Sequence, residues 1–145
     1  MAEIFVDEGL DDIMAIFPKN GTNLATLYIG LFTSQTASTV PARSAVLATQ
    51  TGITEATGTA YARQSIAAAS WGAQATNGNG RKTTAGQVTF PTVGAGGWGT
   101  ANGFFIADAS TAGKCIYAAN FDDVTAVTLN AGDVIKVTPT MQFDG

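Results

Sequence analysis

From Thr26 onward the chain is a succession of short apolar runs separated by turn residues, and this rhythm constrains its fold more than any other feature. Leu27, Ile29 and Leu31 alternate with Tyr28, Gly30 and Phe32. The period is two and both sets are largely apolar, so residues 26–33 are expected to form a buried strand. Residues 101–108 and 114–121 read as a hairpin about a Ser-Thr-Ala-Gly turn at 110–113. Residues 61–69, 87–90, 124–129 and 134–143 add further strands, although Ala67, Ala68 and Ala69 alone favour helix. Asn77-Gly78 and Asn79-Gly80 supply left-handed turn positions within 75–83, and Asn130–Asp133 makes another tight turn. Short strands with turns about every 8–12 residues indicate a mainly β, antiparallel sandwich or barrel-like fold.

Two stretches depart from that rhythm. Val6, Leu10, Ile13, Met14 and Phe17 fall on one face of an amphipathic helix, so a short N-terminal α-helix is expected at about 6–17, ended by Pro18 and Gly21. Its apolar stripe packs on the sheet or docks on a partner. Residues 34–60 are rich in Ser, Thr, Ala and Gly, and their anchors are Val40, Val46, Leu47 and Ile53. Such a segment is either an extended arm lying on a neighbour or a mobile surface loop. Weak hydrogen-exchange protection is expected across it in the free protein. With the β body at about 61–143, the 145 residues make one domain, since the chain is too short for two separate cores.

Composition narrows the class. Charged residues are 12% of the chain, against about 25% in ordinary soluble domains. Apolar residues are 46% and mean hydropathy is +0.17, which argues against disorder. The longest apolar stretch, 24–32, is too short for a membrane-spanning helix, so no membrane partner is expected. The first eight residues have no basic or apolar leader pattern, so no secretory signal is expected. A charge-poor surface favours association. The net charge is −4, yet Glu3, Asp7, Glu8, Asp11 and Asp12 alone contribute five negative charges, leaving the rest at about +1. No basic stripe exists for nucleic acid.

Chemistry is sparse. Histidine is absent, which removes the commonest general base, the commonest metal ligand and every Ser-His triad. The single cysteine, Cys115, reads as a small buried hydrophobe without a base to activate it. Gly94-Ala-Gly-Gly-Trp-Gly99 matches a dinucleotide fingerprint in letters. A strand follows it rather than the helix whose N-terminus would hold a pyrophosphate. Gly80-Arg-Lys-Thr83 lacks the glycine spacing of a P-loop. Asp122 and Asp123 would point to opposite faces of a strand, and with Asp108 they fit turn caps better than a metal site. No enzyme activity, cofactor or metal is expected. The candidate contact residues are Leu10 and Met14 on the helical stripe, Val40 and Val46 in the segment 34–60, and Trp98. Trp98 is flanked by glycines and expected to be exposed or at an interface, where it would also serve a carbohydrate-binding module as a stacking platform.

Several segments together resemble small virion proteins of tailed bacteriophages. They are Leu-Tyr-Ile-Gly-Leu-Phe-Thr-Ser at 27–34, Tyr-Ala-Arg-Gln at 61–64, Ser-Trp at 70–71, and Val-Thr-Phe-Pro at 88–91 with Trp98. The hairpin 103–121 and Asn-Ala-Gly-Asp-Val-Ile-Lys-Val-Thr-Pro at 130–139 complete the set. The resemblance implies a β-rich, non-enzymatic structural protein of the virion, assembled in the host bacterial cytoplasm. Its partners would be the major capsid protein or other virion proteins, and copies of itself, a trimer being one possibility. The first expectation is a capsid decoration (cement) protein binding across capsid subunits. The alternative is a tail, baseplate or fibre component, and a carbohydrate-binding module stands third.

Overall fold

The structure, a computed structural model, describes residues 3–5, 26–36, 39–77, 80–121 and 125–143. The expected helix at 6–17, with Leu10 and Met14, lies outside the described residues, as do Asp122 and Asp123. The strands in chain order are β1 (Glu3–Phe5), β2 (Thr26–Phe32), β3 (Gln64–Ala67), β4 (Ala75–Asn77), β5 (Gly80–Thr84) and β6 (Val88–Thr89). They continue with β7 (Gly99–Ala101), β8 (Gly103–Ala107), β9 (Cys115–Asn120), β10 (Val127–Leu129), β11 (Lys136–Val137) and β12 (Thr140–Phe143). The one helical turn among the described residues is a 3₁₀ turn at Ala68–Ser70, directly after β3, where the alanine run gives up strand geometry.

One five-stranded sheet, ordered β1-β9-β8-β2-β3, organises the molecule, and all its pairings are antiparallel. The alternation read from the sequence becomes two apolar faces. Ile29 and Leu31 of β2, Phe104 and Ile106 of β8, and Tyr117 and Ala119 of β9 look into the larger core. Phe32, Phe105, Ala107 and Ala118 look into a second core on the other face. A bulge between Ile106 and Ala107 leaves Ile116 without an opposite residue. Ile116 therefore joins Tyr117 in the larger core while Cys115 enters the second one. Every residue of β8 and β9 is buried. Gly30 sits opposite Phe105 across the β2–β8 ladder, and a Cβ there would collide with the Phe105 ring. The glycine is the space the phenyl ring occupies.

The larger core is closed by a second layer of small antiparallel sheets, β7–β10, β6–β11 and β4–β5–β12. These bring Ala85, Phe90, Val93, Trp98, Leu129 and Val137 onto the main sheet. The architecture is a mainly β, antiparallel sandwich, with no closed barrel among the described residues.

The other face shows the main correction to the sequence reading. Residues 45–56 are neither arm nor loose loop. Ala45, Leu47 and Ile53 are about 1% exposed or less and pack on Phe32, Phe105, Ala107, Cys115 and Ala118. Val46 and Thr51 exchange backbone hydrogen bonds of 2.8 and 3.0 Å, and the Ala56 N–H donates to Leu31 O at 2.8 Å. The segment covers a sheet face that would otherwise expose two phenylalanines. Sparse periodicity hid this, because three anchors suffice to cover a patch that the strands themselves mostly supply.

Leu47→Ala is therefore expected to destabilise the free protein by about 2–4 kcal/mol in urea unfolding, as removal of a buried leucine does. The amides of Val46, Thr51 and Ala56 should exchange slowly in the same unassembled protein. Fast exchange there, with an unchanged midpoint for the variant, would restore the arm.

Candidate functional site

The polar centre of the molecule is built by Tyr61, Arg63 and Glu55, and no sequence motif announced it. Arg63 lies just before β3 and is 8% exposed. Its Nε donates to Glu55 Oε1 at 2.8 Å and its Nη2 to Glu55 Oε2 at 2.7 Å, a two-pronged ion pair. Its Nη1 donates to the carbonyls of Ala109 and Ala112 at 2.7 and 2.8 Å. The guanidinium lies 5.0 Å from the centre of the Phe105 ring. Tyr61 accepts a hydrogen bond from the Leu31 N–H at 2.9 Å and donates to Glu55 Oε1 at 3.0 Å. Burial, reinforced by the Glu55 carboxylate, pushes this phenol far above its ordinary value of 10.0.

The network ties three loops to one sheet. Gln50 holds the Glu55 N–H through its Oε1 at 2.6 Å, and its own Nε2 donates to Leu47 O at 2.7 Å. Among the described residues, Gln50, Ala60 and Ala112 are the non-glycine positions with left-handed backbones, at φ 54, 68 and 49. Each adjoins the network: Gln50 supports Glu55, Ala60 precedes Tyr61, and Ala112 offers its carbonyl to Arg63. Such backbones cost about 1–2 kcal/mol each and persist where surrounding bonds fix them. Four of the five N–H donors of Arg63 are spent on partners inside the protein, so it braces the fold.

Trp98, expected to be displayed, is 2% exposed. Its Nε1 donates to Thr59 O at 2.8 Å and its ring meets Tyr61 edge-on at 5.2 Å between centroids. The neighbouring glycines admit the indole rather than presenting it. A Cβ on Gly58, whose φ is +151, would lie 2.6 Å from Trp98 Cδ1. The residue is not available as a sugar-stacking platform. Val40 and Val46 are half-buried. Cys115 is buried, as expected.

The outer surface is charge-poor and hydroxyl-rich. Thr100 pairs with Thr128 at 3.1 Å and Thr84 with Thr140 at 2.9 Å, in each case across neighbouring strands. Val127 and Val134 are its exposed large hydrophobic residues among those described. A shallow cleft of about 320 Å³ lies between the glycine loop and Thr128–Ala131, and its lining holds no titratable side chain. No group of His, Cys, Asp or Glu among the described residues is placed to hold a metal. No helix there is long and apolar enough to cross a membrane. The glycine loop leads into β7, not into a helix, so the fingerprint letters carry no nucleotide site.

Residues 18–142 match the family model described as podophage GP4 fiber I protein gp80. That match covers most of the chain, and the protein belongs to this family. It is a structural component of the tailed-phage particle. Comparison with curated proteins finds no match.

Arg63→Lys keeps the charge but loses the fork, and is expected to cost about 2–4 kcal/mol in urea unfolding by leaving Glu55 and two carbonyls underbonded. A loss below 0.5 kcal/mol, the ordinary surface range, would contradict the bracing role. Tyr61 gives a pH signature. Its phenol is raised in the folded state, so the group leaves stability unchanged below its ordinary value of 10.0. Above that value the unfolded chain sheds the proton and the folded one retains it, so stability falls, by up to about 1.4 kcal/mol per pH unit. Tyr61→Phe should reduce this alkaline slope, measured by denaturant midpoints between pH 9 and 11.5.

Proposed function

We infer that the protein is a non-enzymatic fibre or tail component of the phage particle, rather than a capsid decoration protein. The family match carries this reading, because the family is described by a fibre protein. The architecture is compatible with it. The described surface is charge-poor and hydroxyl-rich, suited to broad contact with other virion proteins or with further copies of the chain. Within the segment that suggested a clamp across capsid joints, 34–60, the anchors Ala45, Leu47 and Ile53 are committed to the chain's own second core. Contact is made through sheet faces and strand edges, and the braced interior keeps those faces rigid under load.

Quantitative mass spectrometry of purified virions, with immunogold labelling, tests the location. The expected result is a low copy number with label at the tail or its fibres. Hundreds of copies with label spread over the shell would restore the capsid reading.

A further inference from the structure

The two cores are closed in different ways. The larger one is sealed by small sheets whose strands hydrogen-bond to one another. The second is sealed by one segment, in which Ala45, Leu47 and Ile53 cover Phe32, Phe105, Ala107, Cys115 and Ala118. Much of that segment's hydrogen bonding is internal. Val46 and Thr51 bond each other, Gln50 N and Nε2 both donate to Leu47 O, and Gln50 Oε1 accepts from Glu55 N. Towards the sheet it meets the stretch that follows β2. Thr33 N donates to Thr54 O at 2.9 Å, Thr54 N to Ser34 Oγ at 2.8 Å, and Gln35 Nε2 to Gly52 O at 3.3 Å.

Both ends of the segment are anchored. Pro41 is buried, and Ala42, Arg43 and Ser44 after it are exposed. Ala56 belongs to the larger core, and Thr59 O accepts from Trp98 Nε1 and Gly94 N. The polar network divides at the same place. The bonds of Tyr61 to Leu31 N, and of Arg63 to the carbonyls of Ala109 and Ala112, do not involve residues 45–55. Glu55 joins the segment to that network through Arg63 and Tyr61.

We propose that residues 45–55 are a latched strap, which lifts from the second core as a unit while the larger core stays closed. Its hinges are residues 42–44 and Ala56, and its latch is the grip of Glu55 on Arg63 and Tyr61. Proteins open locally in cooperative units, and a unit with few buried apolar contacts opens before the main core does. Lifting leaves Arg63 and Tyr61 with their bonds to the sheet side. It returns the Glu55 carboxylate to water and relieves the left-handed backbone of Gln50. A short loop without its core does not keep its own ladder, so the Val46 and Thr51 amides open with it. The lifted strap uncovers an apolar patch with two phenylalanines, the kind of surface that contacts another chain. Strap opening is a property of the single chain, so its failure leaves the fibre reading and the location experiment untouched.

Cys115 reports on the strap. It is the only cysteine of the chain, it is fully buried, and it shares the second core with Ala45, Leu47 and Ile53. The test is the labelling rate of its thiol in the full chain by a soluble aromatic disulfide at low urea concentrations, beside amide exchange. The wild type is expected to label through an opening that depends weakly on urea, because little surface is exposed. Its Val46 and Thr51 amides should exchange faster than that of Ala56. Leu47→Ala and Glu55→Gln should each accelerate labelling at least about tenfold. Leu129→Ala weakens the larger core, which the closed and lifted states share, and should leave the rate within about twofold. Should that variant not fold by circular dichroism, Val137→Ala in the same core takes its place. Labelling as steep in urea as global unfolding, equal acceleration by the larger-core variant, or equal protection of the three amides would each overturn the proposal.

Discussion

The structure depends on one constraint: β2, β8 and β9 are apolar on both sides, so neither face of the central sheet can meet water. Antiparallel sheets commonly leave one face solvated, and this one does not. Ile29, Leu31, Phe104, Ile106 and Tyr117 require a cover on one side, and Phe32, Phe105 and Ala118 require another. The first cover is the layer of small sheets. The second is residues 45–56, whose few apolar anchors would not hold a loop in place alone. Gly30 and the bulge at Ile116 are local adjustments to the same demand, fitting a phenyl ring and turning Cys115 inward.

Glu55 supplies the remaining hold. A carboxylate brought to the edge of a core is costly unless its oxygens are bonded, and an arginine there is costly for the same reason. Here each satisfies the other, and Tyr61 and two backbone carbonyls complete the set. The bonds cross from the second cover to β2 and to the turn between β8 and β9. These bonds join the segment 50–55, strand β2 and the turn after β8 in one network.

Legibility in the sequence followed the number of residues that carried each message. The strands at 27–32, 103–107 and 115–120 were readable because many positions repeat the same alternation. The burial of Cys115 followed from its place in such a run. The hairpin β4–β5 appeared only as its turn, because polar Thr, Arg and Lys give no apolar alternation. The site network left one faint mark: Glu55 is the sole acid between Asp12 and Asp108. A lone carboxylate in so neutral a stretch points to a specific partner, but not to Arg63. The glycines around Trp98 misled, because glycine marks both a flexible display and a close approach. Only the position of Gly58 and Thr59 in space distinguishes the two.

By itself the sequence determined the class of the fold, the lack of histidine chemistry, the low charge content and the acidic start. These are properties of composition and of short-range period, and they hold whatever the strands pair with. Tertiary structure decided which face each strand shows to which core, that the segment 45–56 is a lid on the sheet, that Trp98 is inside, and that Arg63 closes on Glu55. Each of these depends on contacts between residues far apart along the chain, or on a one-residue bulge that redirects the side chains beyond it. No local pattern encodes such contacts, because the energy that selects them exists only once both partners are in place.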